Sequence, residues 1–265
     1  MKLVQCSHGG KDHIGLLSAD ESTVKLLTDP NLPNSAVKLL QLGSRQHVLE
    51  LLKAAEATAN AVPLSEVKLL APITSPDKVL CIGMNYVDHC AEQNMPVPTE
   101  PVVFNKFPSC IVGPSDAIEL PSAVTSQLDW EVELAVVIGQ KCRDVSPEQA
   151  DDYIFGYTVA HDVSARDWQL RRNGGQWLVG KAMDTFCPLG PCITTADSLD
   201  PANLSLWCRV NGETQQQGST AQLVFTGTPP GVGVFRKPPV FLKHGDVVEC
   251  GVEGIGTITN KVVAV

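Results

Sequence analysis

Glu131 and Glu133 stand two apart in Asp129-Trp130-Glu131-Val132-Glu133-Leu134-Ala135-Val136-Val137-Ile138-Gly139. β-branched and aromatic residues dominate this run and a Gly closes it, which predicts a strand over 130–138. Alternation then puts Trp130, Val132, Leu134, Val136 and Ile138 on one face, and Glu131, Glu133, Ala135 and Val137 on the other. Two carboxylates on one side of an apolar strand repel each other and resist burial. A divalent, oxygen-preferring cation between them relieves both costs; from spacing alone, a solvated sheet face is the other reading. Asp162 offers a third carboxylate where the apolar run 156–161 stops, just before Ser164-Ala165-Arg166-Asp167. Three carboxylates suit Mg²⁺, with Mn²⁺ and Ca²⁺ as further candidates. The plain alternative for Asp162 is a turn cap.

Other residues offer acid–base and anion chemistry. In Asn85-Tyr86-Val87-Asp88-His89-Cys90-Ala91-Glu92, His89 and Glu92 are three apart and share a face of a helix predicted over 86–93. A His oriented by a carboxylate is a general-base pair, though such pairs also occur on ordinary surface helices. Arg166 and Gln169 can hold a substrate carboxylate or carbonyl, while Arg171 and Arg172 read equally well as surface charges. Lys181 follows Trp177-Leu178-Val179-Gly180, where an unpaired ammonium is costly. Beside a bound anion it is paired and can stabilise an enolate. The loop Thr226-Gly227-Thr228-Pro229-Pro230-Gly231-Val232-Gly233 offers hydroxyls and N–H groups to an anion, or is a plain turn. It lacks the Lys of a phosphate-binding loop, so nucleotide binding is not supported.

The elements that must position these residues are mostly strands. Short runs at 79–83, 102–104, 130–138, 156–161, 204–210, 246–250 and 256–263 recur between Gly and Pro punctuation. They predict a β-rich α+β chain of two packed sheets or a barrel-like roll. A short helix is expected over 147–153, capped by Ser146 with Pro147 in its first turn. Residues 1–70 read as a small N-terminal α/β unit, with strands at 1–6 and 15–17 and a helix at 46–58 carrying Val48, Leu51, Leu52 and Ala55. The Pro-containing stretch 71–77 links it to a catalytic domain over 71–265. His8 and His13 are read as exposed loop residues.

A net charge of −9 argues against nucleic acid and anionic membrane surfaces as partners. No apolar run approaches the roughly 20 residues that span a bilayer. The nine Cys are scattered through apolar segments without a C-x-x-C pair, and read as reduced thiols; Cys187 and Cys192 flank what looks like a Pro-Leu-Gly-Pro turn. The first residues carry no presequence signal and read as a cytoplasmic start, and a trimmed organellar protein would look the same.

Taken in order, five motifs resemble the fumarylacetoacetate hydrolase family from about Val79 to the C-terminus. They are Asn85-Tyr86-x-x-His89-x-x-Glu92, Asp129-x-Glu131-x-Glu133-Leu134, Asp162-Val163-Ser164-Ala165-Arg166-Asp167, the run from Gly180-Lys181 through Asp184-Thr185-Phe186 to Pro188-Leu189-Gly190-Pro191, and the Thr226–Gly233 loop. The resemblance implies a mixed β-sandwich roll, usually a homodimer, with Mg²⁺ or Mn²⁺ held by Glu131, Glu133 and Asp162. It implies small 2-oxo dicarbonyl acids as substrates, chelated so that the enolate of C–C cleavage, decarboxylation or a proton shift is stabilised. By family role Lys181 helps hold the enolate, Arg166, Gln169 and Thr226 contact substrate oxygens, and His89 with Glu92 moves protons. The wording is most like a branch associated with oxaloacetate keto–enol tautomerisation in mitochondria, which is the leading expectation. C–C bond hydrolysis of the acylpyruvase or fumarylacetoacetase kind, oxaloacetate decarboxylation, and an inactive variant that keeps its metal site are the alternatives. One departure stands out: Gln222-Leu223-Val224-Phe225 runs directly into Thr226, where the family has a helix and most of a strand. On the order of twenty residues are missing near 225/226 by ordinary element lengths.

Overall fold

Alternating apolar residues at the start of the chain build a meander whose helices cover one side. In a computed structural model, which describes residues 1–84, 86, 92, 96, 98–222 and 227–265, strands β1 (Lys2–His8), β2 (Lys11–Leu17) and β3 (Thr23–Leu27) pair antiparallel in sequence. Two helices follow, α1 (Ala36–Leu40) and α2 (Arg45–Glu56), then β4 (Asn60–Pro63) against β3 and β5 (Lys68–Leu70) against β1. Ser44 caps α2, its side chain accepting the N–H of His47. The buried stripe of α2 is Val48, Leu49, Leu52 and Ala55, so Leu49 rather than Leu51 joins the core. Those side chains meet Leu3, Ile14 and Leu16 from the sheet. Val4 and Cys6 of β1 point the other way into a second core, so β1 is buried on both faces.

The rest of the chain adds β6 (Val79–Gly83), β7 (Val102–Lys106), β8 (Ile111–Val112), β9 (Ile118–Leu120), β10 (Leu128–Asp129), β11 (Val132–Ile138), β12 (Ile154–His161) and β13 (Ser164–Ala165). Two short helices, α3 (Arg166–Leu170) and α4 (Leu178–Lys181), precede β14 (Cys187–Thr195), β15 (Ser205–Val210), β16 (Glu213–Ser219), β17 (Val247–Val252) and β18 (Gly256–Ala264). Among the described residues, one sheet has nine strands along the path β11-β12-β14-β1-β2-β3-β4, with β5 on β1 and β8 on β14. The other has five, in the order β16-β15-β17-β18-β9; β10-β13 and β6-β7 form two-stranded ribbons. Val132, Leu134 and Val159 from the large sheet meet Leu206, Cys208, Val248 and Ile258 from the smaller one. The β-rich α+β expectation holds, as two packed sheets that do not close into a barrel among the described residues.

Three local expectations are corrected. The strand expected over 130–138 is broken: β10 pairs with β13, β11 pairs with β12, and Trp130-Glu131 crosses between them. At the crossing, the Trp130 N–H turns to Asp129 Oδ1 and the Val132 N–H to a side chain, so the ladder cannot continue. The face assignment survives, with Trp130, Val132 and Leu134 in the core. The supposed Pro-Leu-Gly-Pro turn lies inside β14, between β12 and β1, with every residue of that strand buried. A register shift between Tyr157 and Val159 of β12 faces the segment where Pro supplies no N–H. The expected helix over 147–153 is a 3₁₀ segment, Pro147–Tyr153, with Pro at its start as predicted. The helix expected over 86–93 lies largely outside the described residues. All described cysteines are free thiols, and no described helix is long and apolar enough to cross a membrane.

Candidate metal centre

The crossing at Trp130-Glu131 gathers the acids. Asp162 directly follows β12, and its N–H donates to the carbonyl of Glu131 at 2.9 Å, which ties two carboxylate-bearing residues through their backbones. One ligand oxygen each from Glu131, Glu133 and Asp162 lies within 4.8 Å of the others. Lys181 Nζ bridges two of them, 2.8 Å from Glu131 Oε2 and 2.6 Å from Asp162 Oδ2. Arg166 spans outward, with Nη2 2.7 Å from Glu131 Oε1 and Nε 2.8 Å from Asp129 Oδ2. Asp129 also accepts the N–H groups of Gly233 and Val234, fastening the end of the Thr226–Gly233 loop to the same cluster.

Lys106 on β7 closes the chain of charges. Its ammonium pairs with Asp162 Oδ1 at 2.7 Å and donates to the carbonyls of Val163, Phe186 and Lys181. Removing one partner of a buried ion pair costs about 3–5 kcal/mol, so a lysine with this many acceptors is a structural strut. Burial opposes the charge of Lys181, yet Asp162 and then Glu131 hold its pKa above the ordinary lysine value. Burial likewise opposes the charge of Arg166, and Glu131 and Asp129 hold it up. His161 is buried beside them and pushed down to about 3, first by desolvation and then by Lys106, so it stays neutral.

Glu133 is the odd acid. Desolvation, then Asp162 and Glu131, raise its pKa well above the usual carboxylate value. No ion pair to it is formed among the described residues, whereas Glu131 and Asp162 each meet two cations. Among the described residues, the four acids Asp129, Glu131, Glu133 and Asp162 are met by three cations, Lys106, Arg166 and Lys181, one fewer than the acids when all are ionised. All three candidate ligands present oxygen, the donor that hard divalent cations take. The residues therefore fit such an ion on both charge and donor type.

A cavity opens over this cluster, lined on its polar side by Glu131, Glu133, Arg166, Gln169, Lys181 and Thr228. Gln169 Oε1 accepts Arg166 Nη1 at 2.7 Å, so its NH₂ is what it has left to offer a ligand oxygen. Phe104 and Trp177 pack edge to face at 5.4 Å and form the apolar wall, with Lys181 Nζ 5.0 Å from the Phe104 ring centre. Gly180 lets α4 lie on α3: a Cβ there would come 2.7 Å from the Gln169 nitrogen and 2.8 Å from the Ala165 oxygen. Lys181 reaches its two carboxylates because that approach is free. Both oxygens of Glu92 receive the N–H of Gly231, at 3.1 and 3.3 Å, which brings Glu92 to the loop. His89 and Thr226 lie outside the described residues.

The model for the C-terminal region of fumarylacetoacetate hydrolase matches residues 78–226 and then 221–263. The chain belongs to the fumarylacetoacetate hydrolase family. Human mitochondrial oxaloacetate tautomerase FAHD2A is 51% identical over 290 residues, covering 99% of this chain and 92% of its own length. Among solved structures, a fumarylacetoacetate hydrolase from Exiguobacterium antarcticum superposes with a TM-score of 0.87 at 38% identity, covering 100% of both chains. A maleylpyruvate hydrolase from Sphingobium sp. SYK-6, in complex with manganese(II) and pyruvate, has a TM-score of 0.78 at 28% identity, covering 100% of this chain and 99% of its own.

For this fumarylacetoacetate hydrolase family member, Glu131, Glu133, Arg166, Gln169 and Lys181 line one cavity, and Asp162 joins Glu131 and Glu133 in the carboxylate cluster. Sequence reasoning passed over Lys106, Gln216 and the anchoring role of Asp129. Lys106 carried a readable signal, since it sits in the apolar run Val102-Val103-Phe104-Asn105-Lys106-Phe107 much as Lys181 sits in its own. Gln216 carried none.

Proposed function

We propose that this chain is a divalent-metal-dependent enzyme of small 2-oxo dicarboxylic acids, and specifically an oxaloacetate keto–enol tautomerase. The observation that carries this reading is the trio Glu131, Glu133 and Asp162 with Lys181 bridging two of its members. Relatives bearing the name oxaloacetate tautomerase support the choice of substrate. Mg²⁺ is the proposed ion, with Mn²⁺ and Ca²⁺ as alternatives; when bound it supplies Lewis-acid polarisation of the 2-oxo acid.

The chain's own groups divide the remaining work. Lys181, an ammonium gripped by two carboxylates, is a fixed positive charge at the cavity wall and lowers the cost of negative charge on the C2 oxygen. It is no base, because its nitrogen already carries its protons. The Gln169 NH₂ and the Arg166 guanidinium orient the substrate's oxygens, and the Phe104–Trp177 wall excludes water from one side. Moving the C3 proton falls to His89 and Glu92, with Thr226 as a further oxygen contact.

The test is the decay of enol-oxaloacetate, followed by the ultraviolet absorbance of its conjugated enol, with and without EDTA. Faster decay that EDTA removes is expected; identical traces overturn the reading and favour an inactive variant. C–C hydrolysis is the second reading, favoured by Glu92 standing at the cavity loop. Pyruvate release from acylpyruvates at a rate above that of tautomerisation would put it first. A homodimer is proposed as the working form, supported by Leu80 and Val103, 65% and 61% exposed on the β6–β7 ribbon. Sedimentation at monomer mass overturns it. The mitochondrial relatives support residence in that compartment, which cell fractionation tests.

A further inference from the structure

Gln216 lies on β16, 1% exposed, and its side chain joins three segments. Its Oε1 accepts the N–H of Val132 at 2.9 Å, the backbone amide between Glu131 and Glu133. Its Nε2 donates to Thr228 Oγ1 at 2.8 Å and to the Pro229 carbonyl at 2.7 Å. These partners settle which end of the amide is which. Reversed, the NH₂ would face the Val132 N–H and the oxygen would face the Pro229 carbonyl, with both bonds lost.

Thr228 is 5% exposed and lines the cavity beside Glu131, Glu133 and Lys181. A threonine hydroxyl has one proton to give, and here its oxygen is already accepting from Gln216. The proton therefore remains for another acceptor, and the cavity is where a ligand oxygen would sit. We infer that Gln216 is a positioning residue: it fixes the spacing between the Glu131–Glu133 backbone and the Thr228–Pro229 turn, and orients the Thr228 hydroxyl as a donor to a carboxylate or enolate in the cavity. The inference rests on the cavity being the 2-oxo acid site proposed above. It adds a second, uncharged hand on the ligand, set by a strand of the opposite sheet.

The test uses the full chain loaded with Mn²⁺ and, as probe, oxalate, a planar dianion resembling an enolised 2-oxo acid. Gln216→Met fills the same space without hydrogen bonds, and Thr228→Val removes the hydroxyl. Each is expected to weaken oxalate, read by calorimetry, about tenfold. Affinity for Mn²⁺ alone should stay within about threefold, because the Asp162 N–H still ties Asp162 to Glu131. The double variant should bind oxalate no worse than the weaker single one, since both changes remove one interaction. Losses that multiply in the double variant, or Mn²⁺ and oxalate affinities that fall in parallel, overturn the assignment and leave Gln216 a structural residue. So does unchanged oxalate affinity in Gln216→Met. Should that variant not fold, Gln216→Glu keeps the acceptor for Val132 and loses both donors, and the same pattern is read from it. A wild-type chain that binds oxalate without tautomerising oxaloacetate overturns the proposed activity alone; one that binds no oxalate overturns both.

Discussion

Replacing Glu131 by alanine is expected to abolish binding of Mg²⁺ or Mn²⁺ and, with it, metal-dependent turnover. Glu131 gives one oxygen to the proposed ion site while its two oxygens anchor Arg166 and Lys181. Its removal takes away a ligand and, among the described residues, also the one negative charge by which the cluster's four acids, when ionised, exceed its three cations. What remains has no electrostatic reason to concentrate a cation, and a loss of at least about 100-fold in affinity is expected. The same change should destabilise the metal-free protein, because Arg166 and Lys181 each lose a partner in a site where charges are costly. Glu133→Ala separates the two effects. Glu133 is the acid whose ionisation is opposed by burial and by both neighbouring carboxylates, so its removal should raise the melting temperature in EDTA while still eliminating metal binding. Calorimetric titration and thermal melting, run on both variants, read the two quantities independently. Full Mg²⁺ affinity in Glu131→Ala sinks the ligand set; lower stability in Glu133→Ala sinks the charge argument.

That asymmetry bears on how much of the site the sequence could disclose. The period of two put Trp130, Val132 and Leu134 against the core and Glu131 and Glu133 away from it, and this holds although the strand is broken. Local alternation survives a kink because each side chain still follows its own residue's orientation. Lys181 was legible for a related reason: an ammonium in an apolar run must have a partner somewhere. Lys106 obeyed the same rule and was passed over, although Asp162 and three carbonyls were waiting for it.

Other features were invisible because they depend on residues far apart in the chain. The break before Val132 turns on a hydrogen bond to Gln216, 84 positions away. A glutamine on a polar strand between two turns looks like any surface residue until the opposing sheet is in place. β14 was misjudged for the opposite reason, since Pro188, Gly190 and Pro191 are strong turn signals locally. Burial of all its residues between β12 and β1 outweighed them, and the irregular register with β12 accommodates the missing donors.

Inserting the relatives' segment between Phe225 and Thr226 is expected to raise both stability and turnover. The family model leaves the chain at 226 and resumes at 221, so its match is interrupted at this place. The alignment with the human relative spans 290 positions, but 99% of a 265-residue chain is about 262 residues, so about 28 positions face no residue here. That length is enough for one ordinary helix and one strand with their turns. Among the described residues the adjoining strand, β16, is an edge of the five-stranded sheet, paired with β15 alone. A 3₁₀ turn, Thr220–Gln222, follows it on the way to the Thr226–Gly233 loop. The relatives' segment would add apolar contacts behind that loop, and the loop carries Thr228, which accepts a hydrogen bond from Gln216 beside the candidate metal ligands. Each additional buried aliphatic side chain contributes about 1.5–3 kcal/mol before entropy, and 1 kcal/mol moves the melting point of a domain this size by about 2–4 °C. A rise on the order of 10 °C is therefore expected in the extended protein. At least a tenfold gain in kcat/KM for enol-oxaloacetate, on the order of 1.4 kcal/mol, should accompany it if the loop is then held more firmly. Metal affinity should barely move, since Glu131, Glu133 and Asp162 are positioned by β11 and β12, on the large sheet. An extended protein that melts and turns over like the present chain would show that the short connection supports the loop unaided.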